Sequence, residues 1–233
     1  MKSLSLIIPC FNEERNIKKL FQNLRNLQKK INIQVVIVNN GSVDETANQI
    51  KKNKVLLKNL KIVNIKKNIG FGNGIKKGLK YSKNKIVSYT HADLQTDVND
   101  IFTAFQILEN SKIDNFLVKG LRKSKRRLID VVFTKLMTFY NLIILNYYMP
   151  DIHAQPNLFK KNSIKDIFTF PNDMSFDLAL FYYAKKNNFK IMRYPVYFKK
   201  RIHGIGSNDS IVKKIIYSLK SLKSSIKILI DAK

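Results

Sequence analysis

The stretch Ile86-Val-Ser-Tyr-Thr-His-Ala-Asp-Leu-Gln-Thr-Asp97 decides how the rest of the chain is read. An apolar run, read as a buried strand over residues 85–89, stops at an oxygen-rich turn, and an amphipathic helical segment over 98–109 follows. In an open α/β sheet, ligands bind outside the carboxyl ends of the strands. Asp93 and Gln95 put two oxygen ligands at such an end, with His91 beside them. A hard divalent cation and the phosphates it carries need a site of that kind.

Outward from this point, apolar and amphipathic runs alternate. Strands are expected over 4–9, 34–38, 60–65 and 114–119, and helices over 13–29, 44–52 and 74–81, with Asn12 as N-cap of the first. That alternation implies an α/β fold with a mostly parallel sheet flanked by helices. The second half is less regular. It reads as a long, very apolar helix over 127–148, a strand over 157–159, a helix over 175–186 and one or two strands over 190–200. From Ser210 onward Ile211, Val212, Ile215, Ile216, Leu219, Leu222, Ile226, Leu229 and Ile230 recur at helical spacing, while Lys213, Lys220 and Lys227 fall on another face. The expected organisation is a single domain over 1–208 followed by a basic amphipathic helix over 209–233.

With 233 residues, 45% of them hydrophobic and few Gly or Pro, the chain can bury a sizeable core. A lone cysteine, Cys10, excludes an internal disulfide and reads as a small buried residue rather than a nucleophile. Forty-three Lys+Arg against 16 Asp+Glu give a net charge of +27, which attracts polyanions: nucleic acid, anionic lipid, or phosphate-bearing substrates. A lysine-rich solvated surface explains much of that charge equally well. The N-terminus does not read as a signal peptide, and no run reaches about 18 uninterrupted apolar residues. The nearest run, 128–149, is interrupted by Asp130, Lys135, Asn141 and Asn146.

Four further motifs fall at expected strand ends or loops. In Pro9-Cys-Phe-Asn-Glu-Glu14, Phe11 can cover a flat base while Asn12 and Glu13 bond its edge or the ribose; an acidic helix start uses the same residues. In Asn39-Asn-Gly-Ser42 both amides can donate to and accept from a base edge, though an ordinary strand-turn-helix corner looks the same. Asn68-Ile-Gly-Phe-Gly-Asn-Gly74 is neither a dinucleotide fingerprint nor a phosphate loop, but its glycines allow close approach of backbone N–H groups to a ligand. Arg122, Arg126, Arg127 and Arg201 supply guanidinium forks suited to phosphates in a chain that mostly uses Lys.

The order of these pieces resembles the family 2 glycosyltransferases with the GT-A (Rossmann-like) fold, and more narrowly their dolichyl/polyprenyl-phosphate sugar synthase branch, from about Ser5 to Asn208. The resemblance implies a mixed, mostly parallel sheet and a nucleotide site made of Pro9, Phe11, Asn12, Glu13, Asn39, Asn40, Gly70, Gly72, His91 and Ala92. It implies Mg²⁺ or Mn²⁺ at Asp93 and Gln95, Arg201 at the diphosphate, and Arg122, Arg126 and Arg127 at an acceptor phosphate. His91 stands where the family carries a carboxylate, which weakens the implied cation site. Asn39 and Asn40 replace two acids, and Asn208 a lysine.

The implied reaction is inverting transfer of a sugar from a nucleoside-diphosphate donor to a polyprenyl phosphate. Asp93 and Arg201 are the catalytic residues; the acceptor, already an anion, needs no base. The alternative acceptor is a saccharide hydroxyl in envelope glycan synthesis, with Asp177 as base. A non-enzymatic polyanion binder is a third class, although no nucleic-acid motif is present and nucleic acid is not the expected partner. A lipid acceptor implies a peripheral protein at the cytoplasmic, inner face of the cell membrane, with the tail helix on the anionic membrane surface. Packing of that helix on the domain, on a second copy or on a membrane protein is the competing expectation.

Overall fold

The structure is a computed structural model that describes residues 3–111, 113–124, 127–201, 203 and 210–231. Four parallel strands, β1 (Leu4–Cys10), β2 (Ile33–Asn40), β3 (Leu60–Ile65) and β4 (Ile86–Tyr89), form one half of a seven-stranded sheet. In the other half, β5 (Phe116–Arg122) pairs with both β6 (Asn157–Lys160) and β7 (Lys190–Val196), giving the order β3-β2-β1-β4-β6-β5-β7. Only β6 runs antiparallel, against β4 and β5. The sheet is the mixed, mostly parallel one expected from the alternation of elements.

Helices cover both faces. Leu4, Leu6, Ile8 and Cys10 of β1 join the apolar layer of α1 (Glu14–Gln28), α2 (Thr46–Asn53) and α4 (Asn99–Glu109). Ile7 faces the opposite layer, built by α3 (Phe71–Tyr81) and α6 (Phe176–Lys186). A strand buried on both faces must be apolar at every position, which is why β1 reads as an unbroken run. Burial pushes the Cys10 thiol far up, so it is an inert core group. Helix α1 starts one residue later than the spacing suggests, and Asn12 does not cap it. Asn12 sits at φ +55 and its Oδ1 accepts from the Val43 N–H (3.0 Å), lacing the β1 loop to the β2 loop.

The remaining helices, α5 (Leu128–Leu145) and α7 (Ile211–Asp231), pack on each other in an inverted sense. The side of α7 that is buried carries Lys214, Ser221, Ser225 and Ile228. Its outer side exposes Ile211, Val212, Ile215, Ile216, Leu219, Ile226 and Ile230. Helix α5 likewise buries only Met137, Asn141 and Leu145 and exposes Leu128, Val132, Leu136, Phe139 and Ile143. Two of the four polar residues that interrupt the apolar run are docking groups: Ser225 Oγ donates to Asn141 Oδ1 (2.7 Å), and Lys214 pairs with Asp130 (3.0 Å). The interruptions in its sequence argue against a membrane-crossing helix, but by length and composition alone α5 qualifies as one.

Candidate active site

The turn after β4 is the best-braced irregular segment of the molecule. Leu94 adopts φ +60, a left-handed conformation that a branched apolar residue takes only when its surroundings impose it. Asp93 Oδ1 accepts from the Gln95 N–H (3.1 Å), and its Oδ2 accepts from Arg201 Nη2 (2.8 Å). The segment carrying Arg201 is zipped along the turn: Lys199 N–H donates to Gln95 O (2.8 Å), and Gln95 Nε2 to Lys199 O (3.3 Å). Asp93 and Arg201, 108 positions apart, therefore share one corner. Glu13 lies within electrostatic reach of both. Burial pushes its carboxyl up, a hydrogen bond from Asn16 opposes that, and the charges of Asp93 and Arg201 act on it in opposite directions. Phe11 stands exposed above β1, Pro9 and Ala92 are buried, and His91 stacks on the Phe71 ring at 4.7 Å.

Two expected contributors also tie loops together. Asn40 is buried and its Nδ2 donates to Asn68 Oδ1 and Gly70 O, so its amide holds the glycine loop; Asn39 accepts from the Ser42 N–H. The glycine loop does not open its N–H groups to a ligand. Gly72 N–H donates to Asp173 O and Asn73 N–H to Asn172 O. A Cβ on Gly70 or Gly72 would sit 2.3 Å from the carbonyls of Asn172 or Pro171, so these glycines exist for backbone packing.

Across His91 lies a second polar cluster, most of it unforeseen. Asp177, on α6, is 1% exposed. Its carboxylate accepts from Tyr89 Oη (2.5 Å), His153 Nδ1 (3.2 Å) and Gln155 Nε2 (3.2 Å). Burial pushes this carboxyl up, but the His153 hydrogen bond, the Lys119 charge and the Tyr89 hydroxyl outweigh it, and the net shift is downward. Asp177 thus faces Tyr89, His153 and Gln155 rather than solvent. Lys119 is itself wholly buried, donating to Ala154 O and Asn157 Oδ1, and burial lowers its ammonium to about 7. Arg122 donates to His153 O (2.5 Å), faces Asp151 at 3.5 Å and stacks on Phe198 at 4.4 Å. Arg122, Asp151 and His153 line a small cavity whose far wall is Thr134, Met137 and Thr138 of α5. Arg127, at the start of α5, is exposed and pairs with Asp130; Arg126 lies outside the described residues, as do Gly204, Ser207 and Asn208. The sequence signal for this cluster was the polar run Asp151-Ile-His-Ala-Gln-Pro156 after an apolar helix, whose partners stand 22 to 64 positions away.

Among the described residues no three His, Cys, Asp or Glu side chains are grouped to hold a metal ion. Asp93 alone, with Gln95, fits a Mg²⁺-like ion only in the manner in which nucleotide sites hold one, where substrate phosphates supply further ligands.

A parallel strand array carrying an acid–arginine corner at its carboxyl edge, followed by an antiparallel β6, is the GT-A layout of sugar-transferring enzymes. The chain belongs to glycosyl transferase family 2, whose model matches residues 5–168. It is 35% identical over 94 residues to an uncharacterised glycosyltransferase of Synechocystis, covering 40% of this chain and 30% of that protein. It is 24% identical over 215 residues to the dolichyl-phosphate beta-glucosyltransferase of Dictyostelium discoideum, covering 83% of this chain and 65% of that one. The chain thus spans less than two thirds of those curated relatives. Glucosyl-3-phosphoglycerate synthase from Mycobacterium tuberculosis, solved with Mn²⁺, UDP and phosphoglyceric acid, shares the fold with a TM-score of 0.76 at 13% identity, covering 98% of this chain and 78% of that one.

Proposed function

We propose that this glycosyltransferase moves a sugar from a nucleoside diphosphate to a polyprenyl phosphate at the cytoplasmic surface of a membrane. The observation that carries the reading is α5. One side of it walls the cavity of Arg122 and His153, and the other exposes Leu136, Phe139 and Ile143. The cavity, about 20 Å³, would have to widen around a phosphate head, while the exposed side offers an apolar tail a face to lie on. Together with α7, whose apolar stripe faces outward beside Lys213, Lys220 and Lys227, it makes a face suited to lie in an anionic interface. The Dictyostelium relative is named for a dolichyl-phosphate acceptor, which agrees with this reading.

The donor diphosphate sits at Asp93 and Arg201, the base between Phe11 and the β1 and β2 loops. Asp93 and Gln95 would hold Mg²⁺ or Mn²⁺, which supplies charge neutralisation to the leaving diphosphate. Arg201 shares that task from its own side. Arg122 orients the acceptor phosphate for in-line attack on the anomeric carbon, with inversion.

The test is a panel of nucleotide sugars with the purified protein, with and without polyprenyl phosphate in vesicles, and with Mg²⁺, Mn²⁺ or chelator. Release of nucleoside diphosphate that requires the lipid phosphate and the metal is expected. Release that requires a saccharide instead supports envelope glycan synthesis, and no release with any donor overturns both.

A further inference from the structure

Resting on that transfer reading, we propose that His153 is the acceptor-side catalytic residue, taking the proton of a singly protonated acceptor phosphate through Nε2 as the phosphate oxygen attacks. His153 was not among the residues expected from the sequence, and phosphate transfer had been read as needing no base.

The geometry is that of an oriented imidazole. A carboxylate only accepts, so the contact with Asp177 Oδ2 makes Nδ1 the N–H edge and leaves the Nε2 lone pair outermost. That lone pair already receives an O–H: Tyr217 Oη, on α7, lies 2.7 Å from Nε2. The phenol marks where an acceptor oxygen would bind, and α7 must shift or share that edge when the acceptor arrives. His153 lines the same cavity as Arg122, and its main-chain carbonyl is gripped by the Arg122 guanidinium, so a phosphate on Arg122 is within reach of the ring. Asp177 ties His153 to Tyr89, the last residue of β4, so the ring stands by the strand end whose turn carries Asp93.

In the step, the acceptor P–O–H bond breaks and its proton goes to Nε2. The oxygen pair forms the bond to the anomeric carbon. The carbon–oxygen bond to the diphosphate breaks, and its pair leaves with the nucleoside diphosphate. The imidazole then returns its proton to water. A phosphate monoester loses its second proton near pH ~6, so at neutral pH part of the acceptor enters still protonated.

The charged and titratable neighbours of the ring come from every element around it. They are Asp177 on α6, Asp151 in the preceding loop, Arg122 and Lys119 on β5, and His91 after β4. Tyr89, beneath Asp177, and Tyr217 stay neutral because burial and the Asp177 charge push both phenols far up; Tyr140 and Asp173 act on Tyr217 from behind.

The experiment compares wild type with His153→Gln, using geranyl phosphate and whichever nucleotide sugar wild type consumes. Expected is a kcat loss that follows the protonated share of the acceptor, ~10-fold at about pH 5, ~2-fold at about pH 6 and none at about pH 9, where the acceptor is already a dianion, with donor affinity unchanged. A loss that is the same at every pH, or a variant as fast as wild type, overturns the proposal. If His153→Gln does not fold, histidine NMR of wild type decides, with signals assigned through His91→Gln and His203→Gln. Geranyl phosphate must then shift the His153 ring resonances, and unmoved resonances overturn it. A wild type that releases no nucleoside diphosphate with geranyl phosphate fails the lipid-phosphate reading rather than this one.

Discussion

In the parallel half of the sheet, the groups proposed to meet the donor sit within a few residues of a strand end and are held by main-chain bonds. Asp93 leans on the Gln95 N–H, and Arg201 arrives on a segment zipped to the same turn. In the half that contains β6, the groups proposed to meet the acceptor hold one another. Asp177 on α6 ties Tyr89 of β4 to His153 and Gln155, Lys119 of β5 braces Ala154 and Asn157, and Tyr217 of α7 closes the outside. The first arrangement separates chemistry from stability, because Arg201 keeps partial access to water when its acid is removed. The second joins them, because its charges are buried and each is another's partner.

The sharpest way to break that contrast is Asp177→Asn. The change removes an acid that compensates buried Lys119 and turns an amide N–H toward the Tyr89, His153 and Gln155 donors, so a cost of ~3–5 kcal/mol is expected in denaturant unfolding. The sign with pH follows from the direction of the shift. A carboxyl held below its ordinary value adds stability above about pH 4, and that contribution fades as pH falls through the depressed native value. The variant should lose this part of the acid dependence. A variant as stable as wild type would mean that the network is not a unit.

Asp93→Asn is the matching change on the other side. Stability should fall by ~1–2 kcal/mol, because buried Asp93 loses its charge pairing with a partly water-exposed Arg201 while Asn keeps an acceptor for the Gln95 N–H. Turnover should fall by ~10²–10³-fold, the scale of losing one preorganised electrostatic contact at a leaving group. Equal losses of stability at Asp93 and Asp177 would erase the distinction between the two halves.

The same contrast explains what could be read in the chain. Strand ends are legible because their chemistry is local: the spacing gives the strand over 60–65 to the residue, and Asp93, picked out at the end of β4, lies in an ion pair with Arg201. The glycine loop was legible as a feature but not in its use, since the carbonyls of Pro171 and Asn172 that demand Gly72 and Gly70 lie about a hundred residues on. His153 was not legible at all. A histidine after an apolar helix has no local pattern, and only the return of α6 and α7 gives it a carboxylate on one edge and a hydroxyl on the other. Nor could spacing alone tell which stripe of α7 faces inward, because Ser221 and Ser225 bury where a soluble helix would bury Ile215 and Leu219.

That inverted packing is the basis of a third, smaller test. Phe139→Ser with Leu219→Ser removes two exposed apolar side chains from the α5–α7 face. Burying such a side chain is worth ~1.5–3 kcal/mol, so flotation on anionic vesicles should show at least a ~10-fold loss of binding with unfolding unchanged. Loss of stability without loss of vesicle binding would make this face a covered one.

The smallest expected effect separates the halves by the sign of a pH response. Asp100, in the first turn of α4, has its carboxyl raised to about 6, first by burial and then by the neighbouring charge of Asp97. Its Oδ2 is buried without a hydrogen bond. A raised carboxyl prefers its proton in the native state, so this group costs stability at about pH 7, and the cost is relieved as pH falls through 6 toward 4. That is the reverse of Asp177. Asp100 keeps partial contact with water, so solvent screening leaves well under the full value of the shift, and Asp100→Asn should gain no more than ~1 kcal/mol at about pH 7. At about pH 4, where wild type carries the proton already, the gain should vanish. Thermal unfolding of wild type, Asp100→Asn and Asp177→Asn across that range checks both signs in one series: the Asp100 difference must shrink on acidification, and the Asp177 difference must shrink with it while starting from the opposite side of zero.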